Sequence, residues 1–191
     1  MKPLVTFALL CLALAGAAKD AAAQAPAPAR PGLAKRPAAV FESTRAAQAV
    51  SAFRKAEGLG PVTSDPALVR AAEVQANGMA ARGEMSHEVV GSFPSRLKSA
   101  GVRAFMASEN VAMGQTDLAD AMASWKASAG HRKNLLMKGA TRIGLARATG
   151  PGARGPTLYW AMVLAGPEPR PNEPPPGAAI MPFGGPVWFG N

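Results

Sequence analysis

Hydrophobic residues in the first half of the chain recur every three or four positions, which is the spacing of a helix with one buried face. Ala46, Val50 and Phe53 follow this spacing, so a first helix is predicted over 38–57. Gly58 comes directly after this segment and supplies a stop signal.

A second helix carries signals at both of its ends. Asp65 is a favourable N-cap, and Pro66 suits the first helical position. The helix is expected to run to about Arg82, where Gly83 ends it, and a loop over 84–92 follows. Further helices are predicted over 93–100, from Thr116 or Asp117 to about Ser128 with Gly130 as the break, and over 131–137.

Two segments near the end of the patterned region have the character of strands. Residues 141–148 alternate, whereas 157–165 form a continuous apolar run that is typical of a central strand. The Gly- and Pro-rich residues 149–156 suit a hairpin loop between them. A short strand is also predicted over 102–107, with Glu109 just after it. Helices followed by strands indicate an α+β fold with helices against a small sheet.

The two ends of the chain differ from this patterned middle. Residues 1–23 resemble a secretion signal, with cleavage expected after Ala23 and with Ala17 as the alternative. A membrane anchor competes with this interpretation, but the apolar run is short for a span. The protein is therefore expected to be secreted or periplasmic. The remaining chain divides into a Pro/Ala-rich linker over 24–37, a folded domain over 38–166 and a Pro/Gly-rich, disordered tail over 167–191.

Cysteine content and charge narrow the function further. The single cysteine, Cys11, lies in the predicted signal, so the mature chain has no disulfide and no cysteine nucleophile. The net charge is +9, and no acidic residue occurs between Asp120 and Glu168. This basic window is either a solvated face or a surface that attracts an anionic envelope component or phospholipid. We favour the solvated face, because the window contains no long run of basic residues. Nucleic acid is not expected, because the export signal and the lack of aromatic–basic interleaving argue against it.

Three polar residues on three separate segments are candidates for chemistry. The chain has two histidines, His87 and His131, and Glu109 is a carboxylate beside an apolar pair. Two imidazoles and one carboxylate match a three-ligand zinc site with an open fourth position. Ordinary interpretations also apply: a solvated loop histidine, or a glutamate that accepts backbone N–H bonds.

A series of short motifs runs over about 40–166. They are Met85-Ser86-His87, Arg96-Leu97 with Gly101, Glu109-Asn110-Val111-Ala112, Trp125-Lys126-Ala127-Ser128, Gly130-His131-Arg132-Lys133-Asn134-Leu135-Leu136, Ile143-Gly144-Leu145 and Tyr159-Trp160. In this order they resemble the CAP superfamily (cysteine-rich secretory, antigen 5 and pathogenesis-related proteins) in its cysteine-free bacterial form.

The resemblance implies a three-layer α-β-α sandwich with a small mixed or antiparallel sheet. It also implies a surface cleft on which His87, Glu109 and His131 converge. Three departures from the family pattern weaken a catalytic tetrad: Ser128 replaces a second glutamate, Met162 replaces a common glutamine, and Ser51 replaces a frequent asparagine. The residues expected to support the cleft are Asn110, Trp125 and Ser128.

Three functions fit these observations, and whether the protein is an enzyme stays open. We rank first a monomeric binding module for a lipid or cell-envelope ligand. The second is a divalent-metal-dependent hydrolase, with zinc on His87 and His131 and with Glu109 as ligand or base. The third is a structural domain without chemistry. The hydrolase ranks lower because the sequence offers no second convincing carboxylate, and a nucleophilic Ser128 would have no adjacent orienting acid.

Overall fold

The computed structural model describes residues 36–173, with side chains from Glu42 onward. The predicted signal over 1–23, the linker up to residue 35 and the tail after residue 173 lie outside these residues. None of the helices within 36–173 is long and apolar enough to cross a membrane. The helices are α1 (Arg36–Ala56), α2 (Pro66–Arg82), α3 (Phe93–Ser99), α4 (Leu118–Ala127) and α5 (Ala129–Leu135), and the strands are β1 (Thr63–Ser64), β2 (Ala107–Met113), β3 (Arg142–Gly150) and β4 (Thr157–Ala165).

The four strands form one mixed sheet in the order β1-β3-β4-β2. β1 pairs with β3 in parallel, and β4 pairs antiparallel with both β3 and β2. The central position of β4 confirms the prediction from its continuous apolar run. The sequence analysis missed β1, because two residues are too few to show strand alternation.

Successive side chains of β4 enter two separate cores, one on each face of the sheet. Trp160, Met162 and Leu164 pack with α1, α4 and α5. Tyr159 and its alternate neighbours along β4 pack with α2 and α3. Helices therefore cover both faces of the sheet, which confirms the predicted α+β, three-layer α-β-α sandwich.

Helix α2 begins and ends where its sequence signals predict. Oδ1 of Asp65 accepts the N–H groups of Ala67 and Leu68, at 2.7 and 3.2 Å. At the other end, Gly83 adopts the left-handed conformation with φ +65°, and its N–H bonds to the carbonyl of Met79. Oδ2 of Asp65 also accepts from Arg142 at 2.9 Å, so the same residue ties the start of α2 to β3.

Two glycines of β3 let the backbone of α2 lie directly against the sheet. A Cβ at Gly144 would lie 2.1 Å from the carbonyl carbon of Leu68. A Cβ at Gly150 would lie 2.3 Å from the carbonyl oxygen of Ala80. The obstacles are backbone atoms, which no rotamer change can move, so these contacts require glycine.

The prediction of a strand over 102–107, followed by Glu109, is wrong. The strand is β2, which begins at Ala107 and contains Glu109 as a buried residue. Two adjacent polar residues, Glu109 and Asn110, concealed it, because the hydrophobic pattern assigns buried polar residues to loops. Both are buried here with hydrogen-bond partners, which permits polar groups inside a strand.

The helix break predicted at Gly130 is also misplaced. Ser128 has extended backbone angles, φ −89° and ψ 124°, and separates α4 from α5. Gly130 lies inside α5. The turn therefore comes two residues earlier than the glycine signal indicates, and His131 lies in the first turn of a helix.

Candidate functional site

Glu109 and Asn110 are neighbours on β2 and point to opposite faces of the sheet. The side chain of Glu109 reaches Arg96 of α3, whereas that of Asn110 reaches α5 on the other face. β2 is an edge strand, so the two helical layers approach each other around its outer edge. Chemical groups from both layers can therefore meet at this edge.

The carboxylate of Glu109 is fully engaged by two partners. Its Oε1 lies 2.8 Å from Nδ1 of His87, and its Oε2 accepts a hydrogen bond from Arg96 at 2.5 Å. Glu109 and Arg96 side chains are each only 3% exposed, so their ion pair is shielded from water. An ionised carboxylate only accepts hydrogen bonds, so the hydrogen of this contact is assigned to Nδ1 of His87. Nε2, the other ring nitrogen of His87, takes no part in the contact with Glu109.

Arg96 organises the loop that carries His87. Its other terminal nitrogen donates to the carbonyls of His87 and Gly91, both at 2.6 Å. One guanidinium thus holds the backbone of the 84–92 loop and the carboxylate that binds the His87 ring. In the sequence, Arg96 stands out only as part of the Arg96-Leu97 motif. The helical spacing from Phe93, which packs against the core as Leu97 does, is the signal that places Arg96 on the buried face of α3.

His131 is positioned from the opposite layer. The side-chain amide of Asn110 donates to the carbonyl of His131 at 3.1 Å, and Asn134 donates to the amide oxygen of Asn110 at 2.9 Å. Asn134 also lies 3.0 Å from the carbonyl of Glu109. Asn110 therefore holds the backbone of His131, and Asn134, which was not predicted to take part, holds the amide of Asn110.

The two histidines are close enough to influence each other. Burial lowers the pKa of His131, and the charge of a protonated His87 lowers it further. The His87 side chain is 52% exposed, so one ring is open to solvent while the other is partly buried. The structure therefore brings His87, Glu109 and His131 to one edge of the sheet, with Glu109 beneath the surface.

Comparison with known sequences decides the family. The sequence profile of CAP, the cysteine-rich secretory protein family, matches residues 47–164, well over half of the chain. The chain belongs to the CAP family. The uncharacterised protein YkwD of Bacillus subtilis (strain 168) is 33% identical over 97 residues, which are 50% of this chain and 38% of YkwD. The chain thus matches less than half of that relative's length.

Solved structures agree with this CAP fold. An extracellular protein containing an SCP domain, from Bacillus anthracis strain Ames, has a TM-score of 0.57 and 22% identity, covering 66% of this chain and 41% of that one. An outer surface protein from Borrelia burgdorferi has a TM-score of 0.57 and 18% identity, covering 65% of this chain and 91% of that one. At these identities the likeness shows the fold alone.

The other residues expected to support the cleft of this CAP domain differ in their roles. Trp125 is fully buried, and its indole nitrogen donates to the carbonyl of Val111 at 3.1 Å. Asn134 bonds in the same way to the carbonyl of Glu109. Two carbonyls on the outer edge of β2 are therefore covered, which hinders pairing with another strand. Ser128 forms the α4–α5 junction, and its side chain does not cap α5.

The residues at this CAP site do not fit the three-ligand zinc site. Both oxygens of Glu109 are engaged, and Arg96 supplies a positive charge beside them. Within residues 36–173, no group of three or more His, Cys, Asp and Glu side chains is placed to hold a metal ion. What remains for a cation is the pair of imidazoles, with Glu109 behind His87 as an orienting carboxylate.

Proposed function

We propose that this protein is a CAP-domain binding module of the cell envelope rather than a hydrolase that uses Glu109 as its base. The observation that carries the proposal is the ion pair between Glu109 and Arg96. A general base must be free to accept a proton from water or substrate, and Glu109 is buried with both oxygens bound. His87 can still bind a ligand through Nε2, the ring nitrogen that does not contact Glu109.

The charges near α5 favour an anionic ligand. Three arginines of the basic window have carboxylate partners: Arg132 with Glu57, Arg142 with Asp65, and Arg147 with Glu42. By contrast, Lys133 and Lys138 are exposed, and neither forms an ion pair with a carboxylate of the described residues. Lys133 is two residues from His131 on α5, so the two side chains lie on different faces of the helix, and the Lys133 charge contributes to the potential of the surface around the site. An anionic lipid headgroup is the ligand class that these charges suit.

Vesicle flotation tests this proposal. We expect the protein to float with vesicles that contain phosphatidylglycerol and to remain in the pellet with phosphatidylcholine alone. The double variants Lys133→Gln/Lys138→Gln and His87→Ala/His131→Ala should both weaken flotation. The matched two-charge control Arg45→Gln/Arg154→Gln, at exposed positions outside α5, should not. If flotation disappears at 150 mM salt and is unchanged in His87→Ala/His131→Ala, charge attraction alone accounts for it. Equal absence from both vesicle types would exclude the lipid ligand.

A divalent cation is the second candidate ligand, because one specific contact favours it. The Glu109–His87 bond has the arrangement in which a carboxylate holds the tautomer of a metal-binding imidazole. His87 and His131 would be its protein ligands, and a bound cation would supply a Lewis acid. Zinc titration with the melting temperature as readout tests this candidate, since a ligand of the folded state must raise it. No rise, or the same rise in His87→Ala, would exclude a cation at this site.

A further inference from the structure

A partly open cavity lies between α2 and α3. Its volume is about 240 Å³. Its walls are supplied by α2, α3 and the loop that carries His87, through Arg70, Val74, Val90, Ser95, Arg96 and Ser99. We call this the α2–α3 groove. None of the functions proposed above uses it.

Arg70 gives the groove its net charge. Its guanidinium donates one hydrogen bond across the groove to the carbonyl of Ala100, at 3.0 Å. Within residues 36–173 no carboxylate lies in ion-pair distance of Arg70, whereas the charge of Arg96 is neutralised by Glu109. One uncompensated positive charge therefore borders a partly enclosed space, which favours an anion.

Two hydroxyl groups on α3 add hydrogen-bond donors to the groove. Ser95 and Ser99 both line it and are exposed. A carboxylate that bonds to Arg70 can therefore also accept a hydrogen bond from a serine hydroxyl.

The remaining wall is apolar and exposed. Val74 is 48% exposed and Val90 is 37% exposed, although both are branched hydrophobic residues. Val90 lies directly on α2, because Gly78 leaves room for it: a Cβ at Gly78 would be 2.3 Å from Cγ1 of Val90. The absence of a side chain at Gly78 thus fixes Val90 as a wall of the groove.

We propose that the α2–α3 groove binds a small carboxylate that carries a short apolar chain. The carboxylate accepts hydrogen bonds from Arg70 and the groove donors, and the apolar chain covers Val74 and Val90. A volume of about 240 Å³ leaves room for a short acyl chain and its carboxylate. Such a group occurs in a short-chain acid and at the C-terminus of a peptide.

Amide chemical-shift titration of the full chain with hexanoate tests the proposal. We expect saturable shifts that centre on residues lining the groove, with a dissociation constant on the order of millimolar for so small a ligand. Hexan-1-ol and hexylammonium, which lack the carboxylate, should bind at least tenfold more weakly. A comparison of N-acetylleucine with hexanoate distinguishes the two sources of the carboxylate. Tighter binding of N-acetylleucine would indicate a peptide C-terminus, and tighter binding of hexanoate would indicate a short-chain acid.

Variants make the test specific to the groove. Arg70→Gln should weaken hexanoate binding at least tenfold, and Val74→Asp, at an exposed helix position, should abolish it by charge repulsion. Arg154→Gln, in the distant β3–β4 loop, should bind as the parent does. Binding of hexan-1-ol as tight as hexanoate, unchanged binding by Arg70→Gln, or no saturable shifts would overturn the proposal. These outcomes are independent of vesicle flotation, which depends on the histidine site.

Discussion

Nδ1 of His87 lies 2.8 Å from Oε1 of Glu109, although His87 is half exposed and Glu109 is buried. The contact joins a half-exposed ring to a carboxylate that Arg96 holds in place. Its geometry fixes the direction of the ring without exposing the carboxylate. The buried carboxylate is thus held in place, while the ring of His87 is accessible to solvent. This arrangement suits recognition of a ligand more than proton transfer from Glu109.

Breaking the buried ion pair should strongly destabilise the domain. Glu109→Gln removes the charge that compensates Arg96, and losing one partner of a buried pair costs about 3–5 kcal/mol. The double variant Glu109→Leu/Arg96→Met, which leaves no buried charge, should recover only part of that loss, because Arg96→Met also removes the donor to the carbonyls of His87 and Gly91. Urea unfolding measures both. Glu168→Gln, which breaks an exposed pair with Arg103, should cost less than about 1 kcal/mol.

His131 should make the protein less stable in mild acid. Its folded-state pKa is lowered from 6.5, chiefly by burial, so protonation favours the unfolded chain. The stabilising contribution is present above the unfolded pKa and is lost as the pH falls from about 6.5 through the folded value. The melting temperature of the parent should therefore drop more between pH 7.5 and 5.5 than that of His131→Gln.

The effect of the His87 charge on the pKa of His131 can be measured separately. Repulsion by a protonated His87 contributes to the lowering, so His87→Ala should raise the pKa of His131. Titration of the ring proton signals by NMR follows each histidine separately. An unchanged or lower pKa in His87→Ala would show that the two rings do not interact.

Arg54 should be a main support of the helix that carries His131. Its buried guanidinium donates to the carbonyls of Leu135 and Met137, at 2.9 and 3.0 Å, and to those of Gly60 and Ala140. Arg54→Met leaves these carbonyls without a donor and should cost at least about 3 kcal/mol by urea unfolding. Arg45→Met, an exposed position on the same helix, is the matched control and should change stability by less than about 0.5 kcal/mol.

Gly144 should tolerate no side chain. In Gly144→Ala the new methyl group would meet the backbone of Leu68, so α2 would have to move away from the sheet. We expect a loss of at least about 2 kcal/mol or failure to fold. Gly60→Ala, where no atom lies within 4 Å of the new Cβ, should be near neutral. Equal stability of both variants would contradict the close approach of α2 and β3.

Local signals in the sequence were sufficient for the elements that depend on neighbouring residues. Asp65 and Pro66 determine where α2 begins, and the apolar run over 157–165 indicates the central strand. The motif order also identified the family, because several short segments must agree at once. Prediction failed at β2, since its two polar residues are buried only because distant groups bond to them.

The candidate site depends on contacts between segments that are far apart along the chain. The sequence by itself determined which residues are present for chemistry: two imidazoles, Glu109 and their motif neighbours. Only the tertiary structure decided that Arg96 neutralises Glu109, that Asn110 turns toward His131, and that Arg54 reaches a helix 81 residues away. A carboxylate is a base or a structural anion according to its surroundings, and those surroundings exist only after the layers have packed around the sheet.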